Sequence, residues 1–431
     1  MKKTLIIALA LLLCGSAFAQ EETPAKFKLY GFIRNYGVMD TRSVKGGTHD
    51  LYYYMPEDIS LNEAKEDLNG MSNWKFVSLT TRLGLDVSGY QFGSMNISGK
   101  VEADFYSLNG TGAANTIAQF RLRQAYMALA WKYSDANSLT LNLGQTWHPM
   151  GADLPNCINL ESGAPFGPFN RSPQAMLHFK SNFFTLTGGM LYLSQYLPMD
   201  YETGGKSVNP FRYGMPEAFL GVAFNLGPVV LKSGASMLNT KPIRTYNGKK
   251  ANGTMSALSE YVYVQYTKGL FQLKYKAALA MSGEHLNILS GYGVSKYDQA
   301  TNTFTYTPMQ DFCTWLSFQY GKKVQVMGMA GYMKQLGTTE ELADGFKVLL
   351  NSAASQNIQQ AFRLTPTIVW NLGKFSVGLE YDMTSAEFGN TLASGTAKEA
   401  DAVRNSFGVY EAGQTHWVTN HRILCMTKFN F

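Results

Sequence analysis

The sequence predicts an all-β fold, a transmembrane antiparallel β-barrel of about sixteen strands with short periplasmic turns and long extracellular loops. Three observations carry this expectation. Along the 431-residue chain, segment after segment alternates apolar and polar residues, the period of a strand with one greasy and one wet face. The connections between segments alternate between long and short, as in a meander whose long loops share one end. No stretch after the N-terminus approaches the ~18 consecutive apolar residues of a membrane helix. The 41 Gly, 25 Tyr and 26 Phe suit tight turns and exposed aromatics.

The N-terminus comes first. Lys2 and Lys3 precede an apolar run, Leu5 to Leu13, and Ala17-Phe18-Ala19 offers a small-x-small cleavage site. Residues 1–19 therefore read as a secretory signal peptide. Leu13 is too bulky before Cys14 for a lipidation site. Residues 20–431 remain as one outer-membrane barrel domain. Losing two lysines lowers the net charge from +6 to about +4, too mild to argue for nucleic acid as a partner. Cys157, Cys313 and Cys425 are an odd set and read as isolated small apolar residues. The six His show no zinc-type spacing, so neither metal nor cofactor is expected.

Strands are expected at 27–38, 74–88, 95–106, 120–133, 138–147, 172–180, 183–195, 215–224, 229–239, 255–267, 270–282, 312–321, 324–335, 360–371, 374–384 and 416–431. Short joints such as "SDANS", "SN", "NLGP" and "KG" have hairpin chemistry. On the second strand Leu79, Leu83, Leu85 and Val87 would face lipid, with Ser78, Thr80, Arg82 and Asp86 inside. On the third, Val101, Ala103 and Phe105 would face out and Lys100, Glu102 and Asp104 in. A lipid-facing Arg at the midplane costs ~2–4 kcal/mol. In "FRLRQAYMALAWKY", Arg121 and Arg123 must therefore look inward, with Phe120, Leu122 and Tyr126 on the other face. The alternation blurs after Gln124. Trp74, Trp131, Trp147, Trp315, Trp370 and Trp417 all fall near strand ends, the level of a membrane girdle. The chain closes on "HRILCMTKFNF". Phe429 and the terminal Phe431 resemble the signal by which the barrel-assembly machinery recognises its clients.

The expected pore-lining set is Arg34, Arg82, Lys100, Arg121, Arg123, Arg363 and Arg422, with the acids Asp86, Glu102, Asp104, Glu380 and Asp382. Cations along one wall and acids opposite would set a transverse field and favour anions. The Pro- and Gly-rich segment 148–171, "HPMGADLPNCINLESGAPFGPFN" and its following arginine, is expected to fold inward and narrow the channel. Asp153 and Glu161 would then face the arginine wall, with Arg171 at the segment's end. Replacing Arg121 and Arg123 together by Glu should lower anion preference with the barrel intact.

"TRLGLDVSG", "GKVEADFY", "FRLRQAYMALAW", "LNLGQTWHPM" and "FNRSPQAMLHF" resemble the DcaP-like outer-membrane porin family over about residues 29–180. The resemblance implies a sixteen-stranded trimeric outer-membrane channel taking up small anionic solutes such as dicarboxylates. Arg82, Arg121, Arg123 and Arg171 stand as arginines in the matching motifs. Only about seven residues, Gln20 to Lys26, precede the first strand, so the periplasmic coiled coil of some members is not expected. The partners implied are outer-membrane lipid, small anions, further copies of the chain in a homotrimer, and the assembly machinery. An enzyme would need a constellation such as His416, His421 and Ser406, whose spacing is not distinctive. The alternative function is an adhesin or structural barrel acting through its long loops.

Overall fold

A computed structural model describes residues 25–106, 118–159, 163–350 and 357–431. The alternating segments form sixteen antiparallel strands. They are β1 (Lys26–Asp40), β2 in two pieces (Asn73–Val77 and Arg82–Phe92), β3 (Met95–Tyr106), β4 (Gln119–Lys132) and β5 (Ser138–Trp147). Then come β6 (Arg171–Lys180), β7 (Phe184–Leu191), β8 (Met215–Leu226), β9 (Val229–Thr240), β10 (Met255–Lys268) and β11 (Phe271–Met281). The last are β12 (Thr303–Gly321), β13 (Val324–Thr338), β14 in two pieces (Ile358–Leu364 and Thr367–Leu372), β15 (Phe375–Gly389) and β16 (Thr415–Asn430). Each strand pairs with the next, and β16 returns to β1 with Arg34 opposite Lys428. Closure leaves no edge, so the spanning backbone is satisfied without water.

The outer face is apolar. Phe76 is 86 % exposed, and Leu29, Leu220 and Met215 stand out beside it. Phe92, Tyr133, Phe183 and Tyr320 are exposed near the short turns, with Trp74 and Trp417 toward the other end. Such aromatic rims suit the two interfaces of a bilayer. Two of the buried apolar clusters lie inside. One joins Met150 and Phe166 to Trp315, Met329 and Met333. The other joins Tyr52, Ile158 and Phe169 to Tyr36, Val38 and Leu424.

Several local expectations are corrected. β2 breaks at residues 78–81, so Leu79 leaves the outer face and packs against the interior cluster. β14 breaks before Pro366, whose ring nitrogen has no N–H for the ladder. β12 starts at Thr303, well before 312, because its first half runs beyond the barrel and pairs with the strand Gly291–Asp298. Trp315 is not a girdle residue: it pairs with Lys276 and is buried inside. Trp147 likewise packs against an interior cluster. Of the cysteines, Cys313 is buried, Cys157 half-buried and Cys425 exposed, all as free thiols.

The blurred alternation in β4 has a physical cause. Glu102 pairs with Gln124, but Ala103 pairs with Leu122, so Arg123 is an extra residue inserted into the ladder. Such a bulge re-aims side chains and changes the inward parity of the strand. Arg121 lies inward before the bulge; Gln124 and Tyr126 lie inward after it, Tyr126 opposite Lys100. Tyr126 therefore does not share the greasy face of Phe120 and Leu122.

Candidate functional site

Pairing places β16, β1, β2, β3 and β4 side by side, and their inward residues make a basic wall. Asp104 accepts two bonds from Arg121, both 3.0 Å, and one of 2.6 Å from Arg123. Glu102 accepts from Arg123 at 2.8 Å, and also from Gln124 and Tyr30. Arg82 approaches the same carboxylate at 3.9 Å. Lys100 pairs with Asp86 at 2.9 Å and lies over the Tyr30 ring. Arg34 donates from Nε to Thr80 Oγ1 at 2.8 Å. The acids are thus interleaved with the cations on one wall and not set opposite them, because neighbouring strands supply both signs at matching heights. The expected cation-against-acid field across the lumen is corrected accordingly.

The segment between β5 and β6 crosses the lumen. Asp153 Oδ1 takes Lys232 Nζ at 2.7 Å, and the Asp153 carbonyl takes Lys276 Nζ at 3.0 Å. Lys274 donates to Asn156 Oδ1 at 2.7 Å. Asn156 N–H reaches Ser317 Oγ on β12. The Ile158 and Asn159 N–H groups both donate to Glu380, at 2.7 and 2.9 Å, and Tyr36 on β1 donates to the Ile158 carbonyl at 2.6 Å. Asp153 therefore faces a lysine cluster of β9 and β11, not the arginines. Glu161 lies outside the described residues. Arg171, the first residue of β6, is buried with its guanidinium 4.2 Å from the Trp147 ring centre.

No protein-family model and no curated protein matches the chain. Solved structures do. The outer-membrane channel DcaP of Acinetobacter baumannii matches with a TM-score of 0.63 at 14 % identity, over 96 % of this chain and 100 % of that one. An anion-selective porin from Comamonas acidovorans matches at 0.52 and 12 %, over 95 % and 100 %. The trimer form of OmpT of Vibrio cholerae matches at 0.50 and 11 %, over 94 % and 99 %. The chain has the fold of the DcaP-like outer-membrane porins.

In this porin fold a second loop also enters the barrel, which the sequence did not announce. The hairpin Val44–Gly47 with Tyr52–Pro56 carries Tyr54 between two guanidiniums, 4.0 Å from Arg363 and 3.6 Å from Arg422. Tyr54 donates to Asp382 at 3.0 Å, and its carbonyl accepts from Arg363 at 2.6 Å. Arg422 is closed off by two bonds to Asp40, 2.7 and 2.9 Å. Arg363, Glu380, Asp382 and Arg422 point inward as their strand parity requires, but all four are fully buried beneath the two loops. They tie loops down and do not line an open passage.

The lysines Lys232, Lys274 and Lys276 were missing from the expected set. Strand parity was the available signal, since Lys232 and Lys276 flank Tyr263 on the inward face. A third group was illegible in sequence. His148, Glu217 and His285 converge, all fully buried, with His148 Nε2 and His285 Nε2 at 3.2 and 3.1 Å from the Glu217 carboxylate. The Met150 N–H donates to His148 Nδ1, so the proton of that ring sits on Nε2, which donates to Glu217. A nitrogen holding a proton offers no lone pair to a metal, and the trio acts as a hydrogen-bonded clasp between the crossing segment, β8 and the turn Gly283–Leu286. Burial would lower the His285 pKa, but the Glu217 charge and hydrogen bond outweigh it, aided by Glu284, and the value is raised. His416 bonds Asp58 inside the barrel at 2.7 Å, whereas His421 bonds Tyr381 on the opposite face. They form no constellation with each other.

Proposed function

We propose that the protein is a bacterial outer-membrane porin, a passive diffusion channel for small hydrophilic solutes that favours anions such as dicarboxylates. The carrying observation is the excess of cations on the basic wall: Arg34 and Lys428 face the lumen with no carboxylate of their own among the described residues. In this reading residues 1–19 direct export, and 148–171 is the constriction loop. Phe429 and Phe431 serve insertion, and three copies associate, as the trimer form of the similar OmpT suggests.

Planar-bilayer recording under a KCl gradient tests it. The expected reversal potential reports anion preference; cation preference would remove the basic-wall argument. Liposome swelling should then be faster with succinate than with a neutral sugar of similar size. A second reading, a structural or adhesive barrel, draws support from the apolar packing around Trp315, Phe166 and Tyr54 inside the barrel. It requires that the purified protein give no conductance steps.

A further inference from the structure

The geometry points to a binding site for a hard divalent cation such as calcium, built on Asp311 and Glu284 inside the barrel, where the ion pins an inward-folded turn and the Tyr54 hairpin to the wall. The site does not depend on the channel reading above. Asp311 lies on the inward face of β12 with the buried Cys313 and Trp315, opposite Ala280 of β11 and Gln335 of β13. The turn 282–290 folds over it. The Ser282 N–H donates to the Met309 carbonyl. The Gly283 N–H closes the turn on Ser290 Oγ at 2.8 Å, and Gln335 Nε2 holds the Leu289 carbonyl at 3.2 Å. Glu284 is carried to the same place, where its charge acts on Asp311.

Asp311 is 0 % and Glu284 1 % exposed, and carboxylates so deeply buried are ordinarily paired or bound to a metal. Here the pairing falls short. The Ser290 hydroxyl lies against Asp311, and Glu284 takes the Ser282 hydroxyl on Oε2 at 2.9 Å. Yet among the described residues neither Asp311 oxygen completes a hydrogen bond, and Glu284 Oε1 is buried without a partner. His285, next in the chain, is committed to Glu217. Arg404 tempers the charge of Asp311, but its guanidinium donates to Gln335 Oε1 and to the Gly408 and Ile358 carbonyls. A separate element supplies a further oxygen. Tyr53, on the hairpin strand Tyr52–Pro56, has its hydroxyl buried without a partner among the described residues and within the field of Asp311. Unsatisfied oxygens from a strand, a turn and a hairpin thus gather where negative charge is in excess. An all-oxygen donor set is the one hard cations take, and calcium accepts an irregular shell completed by water.

The test uses calcium itself as the probe, on the full-length protein refolded into detergent free of lipopolysaccharide and stripped with a chelator. Isothermal titration should show one saturable calcium site per chain, and calcium should raise the Tm above its value in chelator. Asp311→Asn and Glu284→Gln should each weaken binding by about tenfold or more, the loss of one charged ligand, and shrink the calcium-dependent rise. That rise is a difference within each variant, so it separates lost binding from a general loss of stability. Asp298→Asn, which changes an exposed acid at the end of a hairpin strand, should leave both readouts unchanged. Heat-modifiable mobility on gels reports folding, and Glu284→Gln decides if Asp311→Asn does not fold. Titration without a saturable site, or equal affinity in the folded variants and the parent, would overturn the site and assign the two carboxyls to a shared proton instead.

Discussion

Arg123 and Arg34 stand on one wall but are held differently. Arg123 is 1 % exposed and serves both Glu102 and Asp104. Removing one partner from a buried ion pair costs about 3–5 kcal/mol, so Arg123→Ala should lower the unfolding free energy from denaturant titration in detergent by that much. A change below about 0.5 kcal/mol, the scale of an ordinary surface substitution, would contradict it. The double change to Glu at Arg121 and Arg123 would crowd four carboxylates together, so it disturbs the wall and is no clean test of selectivity. His285 adds a pH dependence. Its pKa is raised by Glu217, so its contribution is fully present below the ordinary histidine value of about 6.5 and lost as pH rises through the raised value. The stability gap between the parent and His285→Phe should therefore be widest in mild acid and shrink toward alkaline pH. A gap that widened instead would reverse the assignment. That His148, Glu217 and His285 meet was not legible, because no local spacing links three separate elements.

At the scale of elements, strand β4 and the hairpin Val44–Pro56 are instructive in opposite ways. The inward placement of Arg121 and Arg123 was legible, since lipid forbids the alternative. The bulge left only a blur after Gln124, because an extra residue shows in sequence as lost alternation and not as a direction. The hairpin offered "YYYMP" in a long connection, which reads equally well as a surface loop. Its place is set by Arg363, Arg422 and Asp382, which come from β14, β16 and β15. Tyr54→Ala removes the wedge between two like charges and their common tie. It should increase single-channel conductance while the barrel stays folded; unchanged conductance would mean the hairpin lies off the permeation path.

For the whole molecule, closure is the decisive event, and Gly31 sits at its seam. A Cβ there would lie 2.4 Å from the Arg82 carbonyl oxygen and 2.6 Å from the Phe431 ring. Gly31→Val should sharply reduce the yield of heat-modifiable barrel, whereas Gly99→Ala, whose nearest contact is 3.4 Å, should be tolerated. Equal yields would show that the terminal Phe431 packs elsewhere in the membrane. The sequence by itself determined the strand count, the greasy and wet faces outside the break in β2 and the bulge in β4, and the alternation of short and long connections, because lipid imposes a period of two on regular spanning strands. Only the tertiary structure decided which inward charges neutralise one another, which loops enter the lumen and where unbalanced cations collect. Those outcomes depend on registers between strands far apart in the chain, and no residue carries that information alone.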